Sequence, residues 1–335
     1  MKRHDIVTII LSQAAHQEPP QKRQGRAFAP ANIALCKYWG KRDEELNLPH
    51  TPSLSISLGQ LGTETTVAFT EGEADLVTLN GKSIDPGSDF HCRIISFIDL
   101  FRTVEGPRWR IDTRNSIPTA AGLASSASGF AALVKALNDW FDWGLDPQTQ
   151  SILARLGSGS ACRSVLDGFV LWHEGSAPDG MDSFAERLDI TWPEFRIGLW
   201  TLSTDRKPVS SRVAMKRTVD TSILYQSWPE QCRQDLARMK QAMEDRDLSA
   251  VGRIAEQNAL AMHATGLGAW PPVLFWLPES VEAMKTVWML REQGIEVYLT
   301  MDAGPNVKLI FNQRDEAAIR ESVPTLKTIA PFGDG

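Results

Sequence analysis

The sequence contains little cysteine, and the cysteines that it has form no recognisable ligand pattern. The 335 residues include four of them, widely separated and without a CxxC pair: Cys36, Cys92, Cys162 and Cys232. The six histidines include no HExxH pattern. These absences argue against a zinc site, a disulfide framework or another metal centre held by protein ligands. They predict reduced thiols in a cytoplasmic protein.

The sequence also lacks an excess of positive charge and any long apolar run. A formal net charge of −6 argues against a general binder of nucleic acid or acidic membranes, because neither polyanion would be attracted overall. No apolar run reaches the length of a membrane span. The apolar run over residues 6–11 is shorter than a usual signal-peptide core, and a polar segment rich in proline and glutamine follows it. We therefore predict a flexible arm over residues 1–25 rather than a cleaved signal, with neither nucleic acid nor membrane as a partner.

The length and composition are typical of a globular protein with two domains. Hydrophobic residues make up 42% of the chain and charged residues 23%. Strand-like and helix-like segments mix without the regular spacing of a doubly wound sheet. We therefore predict two α+β domains, over residues 26–193 and 194–335, with the boundary near Pro193.

Hydrophobic periodicity predicts the main elements of both domains. The predicted strands cover residues 53–58, 66–70, 76–80, 168–173 and 197–202, and the predicted helices cover residues 126–141, 230–247, 248–264 and 278–293. Gly294 stands where a left-handed cap would end the last helix. An apolar hairpin over residues 295–311 then carries an acid, Asp302, at its mouth.

The loop PTAAGLASSASG, residues 118–129, leads into a predicted helix. Its small residues at Gly122 and Ala124 allow backbone N–H groups to approach an anion, and Ser125 and Ser126 add hydroxyl donors at the helix N-terminus. The loop lacks the Gly-Lys-Ser/Thr ending of the P-loop. A helix N-cap explains the serines equally well. On this segment alone both interpretations stay open.

A second loop, GSGSACRS over residues 157–164, makes anion binding the better interpretation. It supplies flexible backbone, the hydroxyl of Ser160 and the guanidinium of Arg163, which is shaped for bidentate binding of phosphate or carboxylate. The structural alternative is a helix–helix linker with a surface arginine. Two such loops in one chain favour an anionic ligand.

A basic cluster follows the apolar run over residues 33–36. It places Lys37, Tyr38 and Lys41 at the end of a predicted buried strand, where a polyanion could bind. Solvated surface charge is the alternative, because lysine is mostly exposed in proteins.

Two further segments carry polar groups next to strands. Asp302 in MDAGPN is a candidate general base, although Asp before Gly-Pro is also ordinary turn chemistry. Ser211 and Arg212 in VSSR fit an anion contact or a solvated loop.

Together these segments resemble the GHMP kinase superfamily and, within it, the mevalonate diphosphate decarboxylases. The resemblance runs from about residue 27 to residue 311, through APANIALCKYWGKRDEELNLP, NSIPTAAGLASSASGFAAL, SGSACRS, VSSR and MDAGPN in the family's order. It implies the GHMP kinase fold. In that fold the N-terminal domain is like domain 2 of ribosomal protein S5, the C-terminal domain is ferredoxin-like, and the active site lies between them.

The resemblance also implies an activity and its residues. The activity is the decarboxylation of 5-diphosphomevalonate to isopentenyl diphosphate, with ATP and Mg²⁺. Asp302 and Lys37 match the catalytic residues of the family, near the 3-hydroxyl and near the substrate carboxylate and transferred phosphate. The substrate-contacting positions match Tyr38, Lys41, Ser160, Arg163, Ser211 and Arg212, and the ATP phosphate positions match Gly122, Ala124, Ser125 and Ser126. A homodimer is a further expectation.

Two departures from the family pattern leave the substrate open. The chain has Thr51-Pro52-Ser53 where many relatives carry Asn-Ser-Ser, and Val213-Ala214-Met215 where they carry a Gly-Met pattern. A 5-monophosphate substrate is one alternative, and a GHMP kinase that stops at a phosphorylated product is another. A non-catalytic ATP-binding protein is the third. Retention of both Lys37 and Asp302 favours the decarboxylase.

Overall fold

The computed structural model describes residues 1–15, 20–102, 106–117, 125–205 and 209–333, except for the side chain of Ser125. The helices are α1 (Arg3–Leu11), α2 (Asp89–Ile98), α3 (Ser125–Phe141), α4 (Pro147–Gly157), α5 (Ser211–Thr221), α6 (Trp228–Glu244), α7 (Leu248–Leu267), α8 (Pro278–Glu292) and α9 (Glu316–Ser322). The strands are β1 (Gln24–Cys36), β2 (Lys41–Asp43), β3 (Leu48–Pro49), β4 (Ser53–Phe69), β5 (Leu76–Leu79), β6 (Lys82–Ser83), β7 (Trp109–Asn115), β8 (Phe169–Trp172), β9 (Ala185–Arg187), β10 (Phe195–Trp200), β11 (Val297–Met301), β12 (Val307–Asn312) and β13 (Lys327–Ile329). Short 3-10 turns cover Gly159–Val165, Ile223–Ser227 and Gln313–Asp315.

The first sheet is organised around β4, which is longer than the sequence predicts. Its strands run in the order β6-β5-β7-β4-β8-β9, and β1 pairs with β4. The sequence predicts two strands, at 53–58 and 66–70, because Gly59 and the polar residues after it interrupt the apolar alternation. In the structure one strand spans both, since β1 pairs antiparallel with β4 over most of its length. The pairing with β1 is interrupted between Ser57 and Gly62, where Gly59 has a φ of 57°, so the local signal marks an irregularity within one strand and not its end.

Helix α3 covers this sheet, and it forms where its apolar stripe predicts. It packs against β1 and β4, and Phe130, Leu133 and Leu137 lie buried in the first core. A side chain at Gly25 would collide with the backbone of α3 at Ala136, so glycine allows β1 to approach the helix this closely.

The predicted flexible arm over residues 1–25 is wrong at residues 3–11, and its residues 16–19 lie outside the described residues. Residues Arg3–Leu11 form helix α1, and Ile6, Val7 and Ile10 are buried in the same core as α3. Their i, i+1, i+4 spacing places all three on one helical face. Burial of each such side chain contributes about 1.5–3 kcal/mol, which holds the helix on the domain.

The second sheet has the strand order β11-β12-β10-β13, with every pairing antiparallel. Numbered along this domain the order is 2-3-1-4, which is that of the ferredoxin-like βαββαβ arrangement. The predicted hairpin is present, with Met301 opposite Val307. The predicted helix cap is present too, since Gly294 has a φ of 88° directly after α8. The α+β fold class predicted from the sequence is confirmed.

The two domains share a core, and the loop after β1 lies at their junction. Ile33 and Leu35 of the first sheet pack in one apolar cluster with Ile197 and Ile310 of the second. Helix α7 contacts both β1 and β11. Since the first sheet ends at β9 and the second begins at β10, we keep the division into residues 26–193 and 194–335 as a proposal, with α1 added to the first domain.

Two further observations concern thiols and membranes. The cysteines at positions 36, 92, 162 and 232 are free. Among the described residues, no helix combines the length and the apolar character needed to cross a membrane. The packing of the chain therefore rests on its cores, without a disulfide among these four residues.

Candidate active site

Lys37 follows directly on β1 and is a deeply buried cation at the domain junction. The residue is 2% exposed. Its Nζ donates to the Ala34 carbonyl at 2.8 Å and to Asp302 Oδ1 at 2.9 Å. A buried ammonium group requires such partners, because an unpaired charge is costly away from water. Burial lowers the pKa of Lys37, and the charge of Asp302 acts in the opposite direction.

Asp302 lies in the tight loop between β11 and β12, where it meets a second lysine. Its Oδ2 lies 3.3 Å from Nζ of Lys308, which is 1% exposed on β12. Burial would raise the pKa of Asp302, but the charges of Lys37 and Lys308 outweigh it and hold that pKa well below its usual range. The Asp302 side chain is 32% exposed. An ionised carboxylate held by two cations therefore remains partly exposed.

The second domain also holds the backbone that carries Lys37. Asn258 Oδ1 on α7 accepts from the Lys37 backbone N–H at 2.8 Å, and its Nδ2 donates to Asp235 Oδ2 on α6 at 2.8 Å. The Trp39 carbonyl accepts from Tyr225 Oη at 3.1 Å and from the Trp228 indole at 3.0 Å. The position of Lys37 therefore depends on both domains.

Arg163 lies in the buried 3-10 turn Gly159–Val165, so the alternative of a surface arginine is wrong. The residue is 3% exposed. Its Nη1 donates to Ser53 Oγ at 2.6 Å, and its Nε and Nη2 donate to Asn32 Oδ1 at 3.4 and 3.3 Å. Burial lowers the pKa of Arg163, and the charge of Asp302 is among those that raise it. Arg163 therefore lies within electrostatic reach of the Lys37–Asp302 pair.

Tyr38 brings a hydroxyl to the same turn. Its ring packs edge-on against Trp172 with centroids 4.7 Å apart, and its buried hydroxyl has no hydrogen-bond partner among the described residues. Burial raises the pKa of Tyr38, so the hydroxyl is neutral. Gly159 lies against this ring, and a side chain there would come within 2.6 Å of the hydroxyl oxygen. Ser160 follows, half-buried. An unsatisfied buried hydroxyl is suited to bind an anionic ligand.

A second group of cations surrounds Lys41 on β2. The Lys41 side chain is only 6% exposed, and its Nζ lies 2.9 Å from Glu44 Oε2. Burial lowers the pKa of Lys41, and the charges of Arg212 and Arg93 act in the same direction. Cations that oppose one another's charge form a site of positive potential, which favours a bound polyanion. Arg93, on α2, was not predicted from the sequence.

The segment VSSR leads into a helix, whereas from the sequence a solvated loop and an anion contact were both open. Ser210 caps α5 by accepting a hydrogen bond from the Val213 N–H at 3.3 Å, which makes Ser211 and Arg212 the first two helical residues. Arg212 is exposed, and its charge reaches Lys41 and Tyr38. Ala214 is fully buried in an apolar cluster. The departure from the family pattern at Ala214 therefore concerns a side chain that packs in an apolar cluster.

The predicted ATP-binding loop lies mostly outside the described residues. Gly122 and Ala124 fall in the undescribed range 118–124, and the side chain of Ser125 is not described either. Ser126 lies half-buried in the first turn of α3, and that turn carries no acidic side chain. No carboxylate on this turn would therefore oppose a phosphate at the helix N-terminus. The role of these four residues stays a prediction.

The departure at Pro52 involves a different part of the surface. Pro52 lines an open hollow of about 390 Å³ together with Leu171, Phe184 and Leu236. None of the described site residues predicted from the sequence lines this hollow. The neighbouring Ser53, in contrast, accepts the hydrogen bond of Arg163. Ser53 is therefore the residue of this segment that contacts the site.

Sequence reasoning missed the residues that support the predicted ones. They are Asn32, Ser53, Arg93, Asn258, His263 and Lys308. His263 on α7 is buried, and its Nε2 has no hydrogen-bond partner among the described residues. Burial and the charge of Lys37 lower the pKa of His263 to about 3, so its imidazole is neutral. For Lys308 a signal was available, because a lysine inside the apolar strand VKLIF requires a buried partner.

Two family models match the chain, one in each domain. The model of the diphosphomevalonate decarboxylase-like N-terminal domain matches residues 29–185. The model of the mevalonate 5-diphosphate decarboxylase C-terminal domain matches residues 199–331. Together they cover all the predicted catalytic and substrate-binding residues.

Individual relatives agree with the two models. A diphosphomevalonate decarboxylase of Candida albicans is 37% identical over 305 residues, which cover 86% of this chain and 84% of that protein. The crystal structure of mevalonate diphosphate decarboxylase from Staphylococcus aureus has a TM-score of 0.86 at 38% identity, covering 92% of this chain and 95% of that one. A structure described as MDDEF in complex with MVAPP, AMPPCP and magnesium has a TM-score of 0.85 at 40% identity, covering 91% of this chain and 95% of that one.

Proposed function

The chain belongs to the diphosphomevalonate decarboxylase family, and from that premise we propose that it converts 5-diphosphomevalonate and ATP to isopentenyl diphosphate, ADP, phosphate and CO₂. This reaction belongs to the mevalonate pathway of isoprenoid biosynthesis. The observation that carries the proposal is the Lys37–Asp302 pair, with Nζ and Oδ1 2.9 Å apart at the junction of the two domains. The ionised carboxylate can accept the proton of the substrate hydroxyl, and the cation can stabilise the negative charge of the phosphate.

Asp302 acts on the tertiary hydroxyl of the substrate. That hydroxyl is a poor leaving group, so it is first converted to a phosphate ester by the γ-phosphoryl group of ATP. Asp302 accepts a hydrogen bond from the hydroxyl and takes its proton as the new P–O bond forms. Because two lysines lower its pKa, Asp302 is a weak base. We therefore expect the proton to move late, when the hydroxyl oxygen already bonds to phosphorus.

Elimination follows the phosphoryl transfer. The C–O bond to the new phosphate breaks, and phosphate leaves with the bonding electron pair. The pair of the C–C bond to the carboxylate then forms the double bond, and CO₂ departs. Positive character develops at the tertiary carbon and negative charge on the leaving phosphate. Lys37 is placed to stabilise that negative charge with little reorganisation, because the protein already fixes its position.

The remaining cations hold the anionic ends of the substrate. Lys41, paired with Glu44 and within electrostatic range of Arg93 and Arg212, is assigned to the diphosphate. Arg163 presents a planar guanidinium next to the free hydroxyl of Tyr38, a combination suited to a carboxylate or a phosphate oxygen. We assign Ser160 and Ser211 to the same substrate as hydroxyl donors.

The ATP phosphates are assigned to the loop before α3, at Gly122, Ala124, Ser125 and Ser126. The first turn of α3 fits this role because it carries no acidic side chain. Among the described residues no group of three or more His, Cys, Asp or Glu side chains could hold a metal ion. We propose that Mg²⁺ would enter with ATP, since this ion usually binds through phosphate oxygens and several waters. When bound, Mg²⁺ neutralises part of the charge on those oxygens.

One experiment tests the proposal against its alternatives. The purified protein is given ATP and Mg²⁺ with either 5-diphosphomevalonate or 5-phosphomevalonate, and ADP and CO₂ are both measured. The proposal requires equal amounts of ADP and CO₂ with the diphosphate. Both products with the monophosphate alone would indicate a phosphomevalonate decarboxylase. ADP without CO₂ would indicate a kinase, and neither product would indicate a binding protein.

A further inference from the structure

Asp302 is held by two lysines that come from different domains. Lys37, at the end of β1, reaches Oδ1 at 2.9 Å from the first domain. Lys308, on β12, reaches Oδ2 at 3.3 Å from the second domain. The proposed reaction gives Lys37 a role toward the transferred phosphate, but it gives Lys308 none.

Lys308 and Asp302 belong to the same β-hairpin. Lys308 pairs across the strands with Thr300, two residues before Asp302. Its Nζ also donates to the Asn306 carbonyl at 3.3 Å within the connecting loop. The side chain is 2% exposed, so its ammonium group is directed to these partners rather than to solvent. The contact between Lys308 and Asp302 is therefore internal to one rigid element and does not depend on how the two domains meet.

We propose that Lys308 is a positioning residue, which keeps Asp302 ionised and oriented while Lys37 is engaged by the anionic substrate. This inference rests on the proposed decarboxylase function. Lys37 must pair with Asp302 and, in the reaction, also with a phosphate or carboxylate of the substrate. A single cation shared in this way would bind Asp302 less strongly when the substrate is present. Lys308 supplies a second cation that the substrate does not need to share.

The other ionisable groups around Asp302 cannot take this role. His263, on α7, is neutral because burial lowers its pKa. Arg163, in the turn Gly159–Val165, donates to Ser53 and Asn32. A substrate with several negative charges would favour protonation of a carboxylate beside it, since like charges disfavour ionisation. A protonated Asp302 could no longer accept the proton of the substrate hydroxyl.

The first test measures the ionisation of Asp302 and needs no turnover. In protein labelled with carbon-13 at the aspartate carboxyls, the resonance lost in Asp302→Asn identifies Asp302. Removal of one opposite charge within this distance raises a carboxyl pKa by about 1–3 units. We expect Lys308→Met to produce such a rise, because methionine keeps the length of the side chain without its charge. An unchanged pKa would overturn the proposal.

The matched control is Thr300→Val, on the same face of the hairpin. Thr300 is buried, its hydroxyl has no hydrogen-bond partner among the described residues, and the exchange preserves volume. It should leave the pKa of Asp302 unchanged. An equal pKa rise in this control would mean that any disturbance of the hairpin acts like loss of Lys308, which would also overturn the proposal. If Lys308→Met does not fold, Lys308→Gln, which keeps a donor without the charge, replaces it.

The second test uses a double-mutant cycle on turnover. We expect Lys308→Met to lower kcat at least about tenfold, with KM for each substrate changed less than about threefold. In the Asp302→Asn background the same exchange should change kcat less than about twofold, because its effect passes through Asp302. Equal factors in both backgrounds would show a role independent of Asp302. Absence of CO₂ from the wild-type protein would instead refute the decarboxylase function, and the carbon-13 titration would still decide the role of Lys308.

Discussion

Replacement of Asp302 by asparagine separates the charge of this side chain from its shape. The amide has nearly the size of the carboxylate and can accept a hydrogen bond from one lysine, but it can neither take a proton nor balance two cations. A positioned general base typically contributes a factor of about 10²–10⁴. We therefore expect kcat to fall at least about a hundredfold, which is about 2.7 kcal/mol of transition-state stabilisation.

The same change should lower stability, because it leaves two buried lysines without a counterion. Both lysine side chains are 2% exposed, whereas the carboxylate is 32% exposed. Breaking a buried ion pair typically costs about 3–5 kcal/mol, and partial exposure places this case near the lower end. For a domain of this size that is a decrease in Tm of about 6–12 °C. Asp220→Asn, which removes an exposed i,i+4 partner of Lys216, is the control and should leave the stability nearly unchanged.

The stability contribution of Asp302 should depend on pH in a defined direction. Asp302 has a pKa below that of an unfolded aspartate, which is about 3.9. Its contribution to stability is therefore fully present well above that value and is lost as the pH falls through it toward the folded pKa. Between about pH 5 and pH 2 the wild-type protein should lose stability more steeply than Asp302→Asn, which has no such group to protonate.

The assay combines initial rates of ADP and CO₂ formation with titration of an ATP analogue and urea unfolding at several pH values. Nucleotide affinity should change less than about threefold, since Asp302 is assigned to the hydroxyl and not to ATP. Turnover near the wild-type rate would refute the reasoning on catalysis. Identical acid unfolding of both proteins would refute the reasoning on the two lysines.

Three further predictions concern other parts of the molecule. Arg163→Ala should raise KM for 5-diphosphomevalonate at least about tenfold and leave KM for ATP nearly unchanged, as measured by steady-state kinetics; an unchanged KM would move the anion site elsewhere. His263→Gln should reduce the loss of stability between about pH 6 and pH 3.5, measured by urea unfolding. In the wild-type protein the folded state keeps this histidine neutral while the unfolded state protonates it, which lowers the free energy of unfolding by about 1.4 kcal/mol per pH unit. An unaltered slope would mean that His263 is already protonated in the fold. Ile6→Ala should lower the free energy of unfolding by about 2–5 kcal/mol with little change in kcat at 25 °C, and a neutral result would restore the flexible arm.

The sequence predicted the elements whose signal is local. Helix α3 and the cap at Gly294 follow from periodicity and from a glycine in the required conformation. Helix α1 was missed because its apolar run was compared with the length of a signal peptide and not with the period of a helix. Strand β4 was divided because the apolar alternation stops at Gly59, whereas the pairing with β1 that resumes at Gly62 is a long-range contact.

The sequence named candidate site residues but not the contacts between them. The ion pair of Lys37 and Asp302 joins residues 265 positions apart, and no local pattern shows that they touch. Asn258 was missed for the same reason, since an asparagine inside an amphipathic helix gives no sign that its amide binds a distant backbone. The motifs indicate candidate functional groups, and the packing of the two domains determines which of these groups contact one another.

This arrangement constrains how the reaction can begin. A strong base at this position would need a raised pKa, and burial alone would raise the pKa of Asp302. The charges of Lys37 and Lys308 lower that pKa by more and keep the carboxylate ionised. Under the proposed function, the site would favour orientation of the hydroxyl and acceptance of its proton once phosphorus has bonded to oxygen, over removal of the proton in advance. Lys37 comes from one domain and Lys308 with Asp302 from the other, so the proposed reaction would require the two domains to be packed together. Changes at their junction, such as loss of the Asn258 contact to Lys37, should then lower kcat more than substrate affinity.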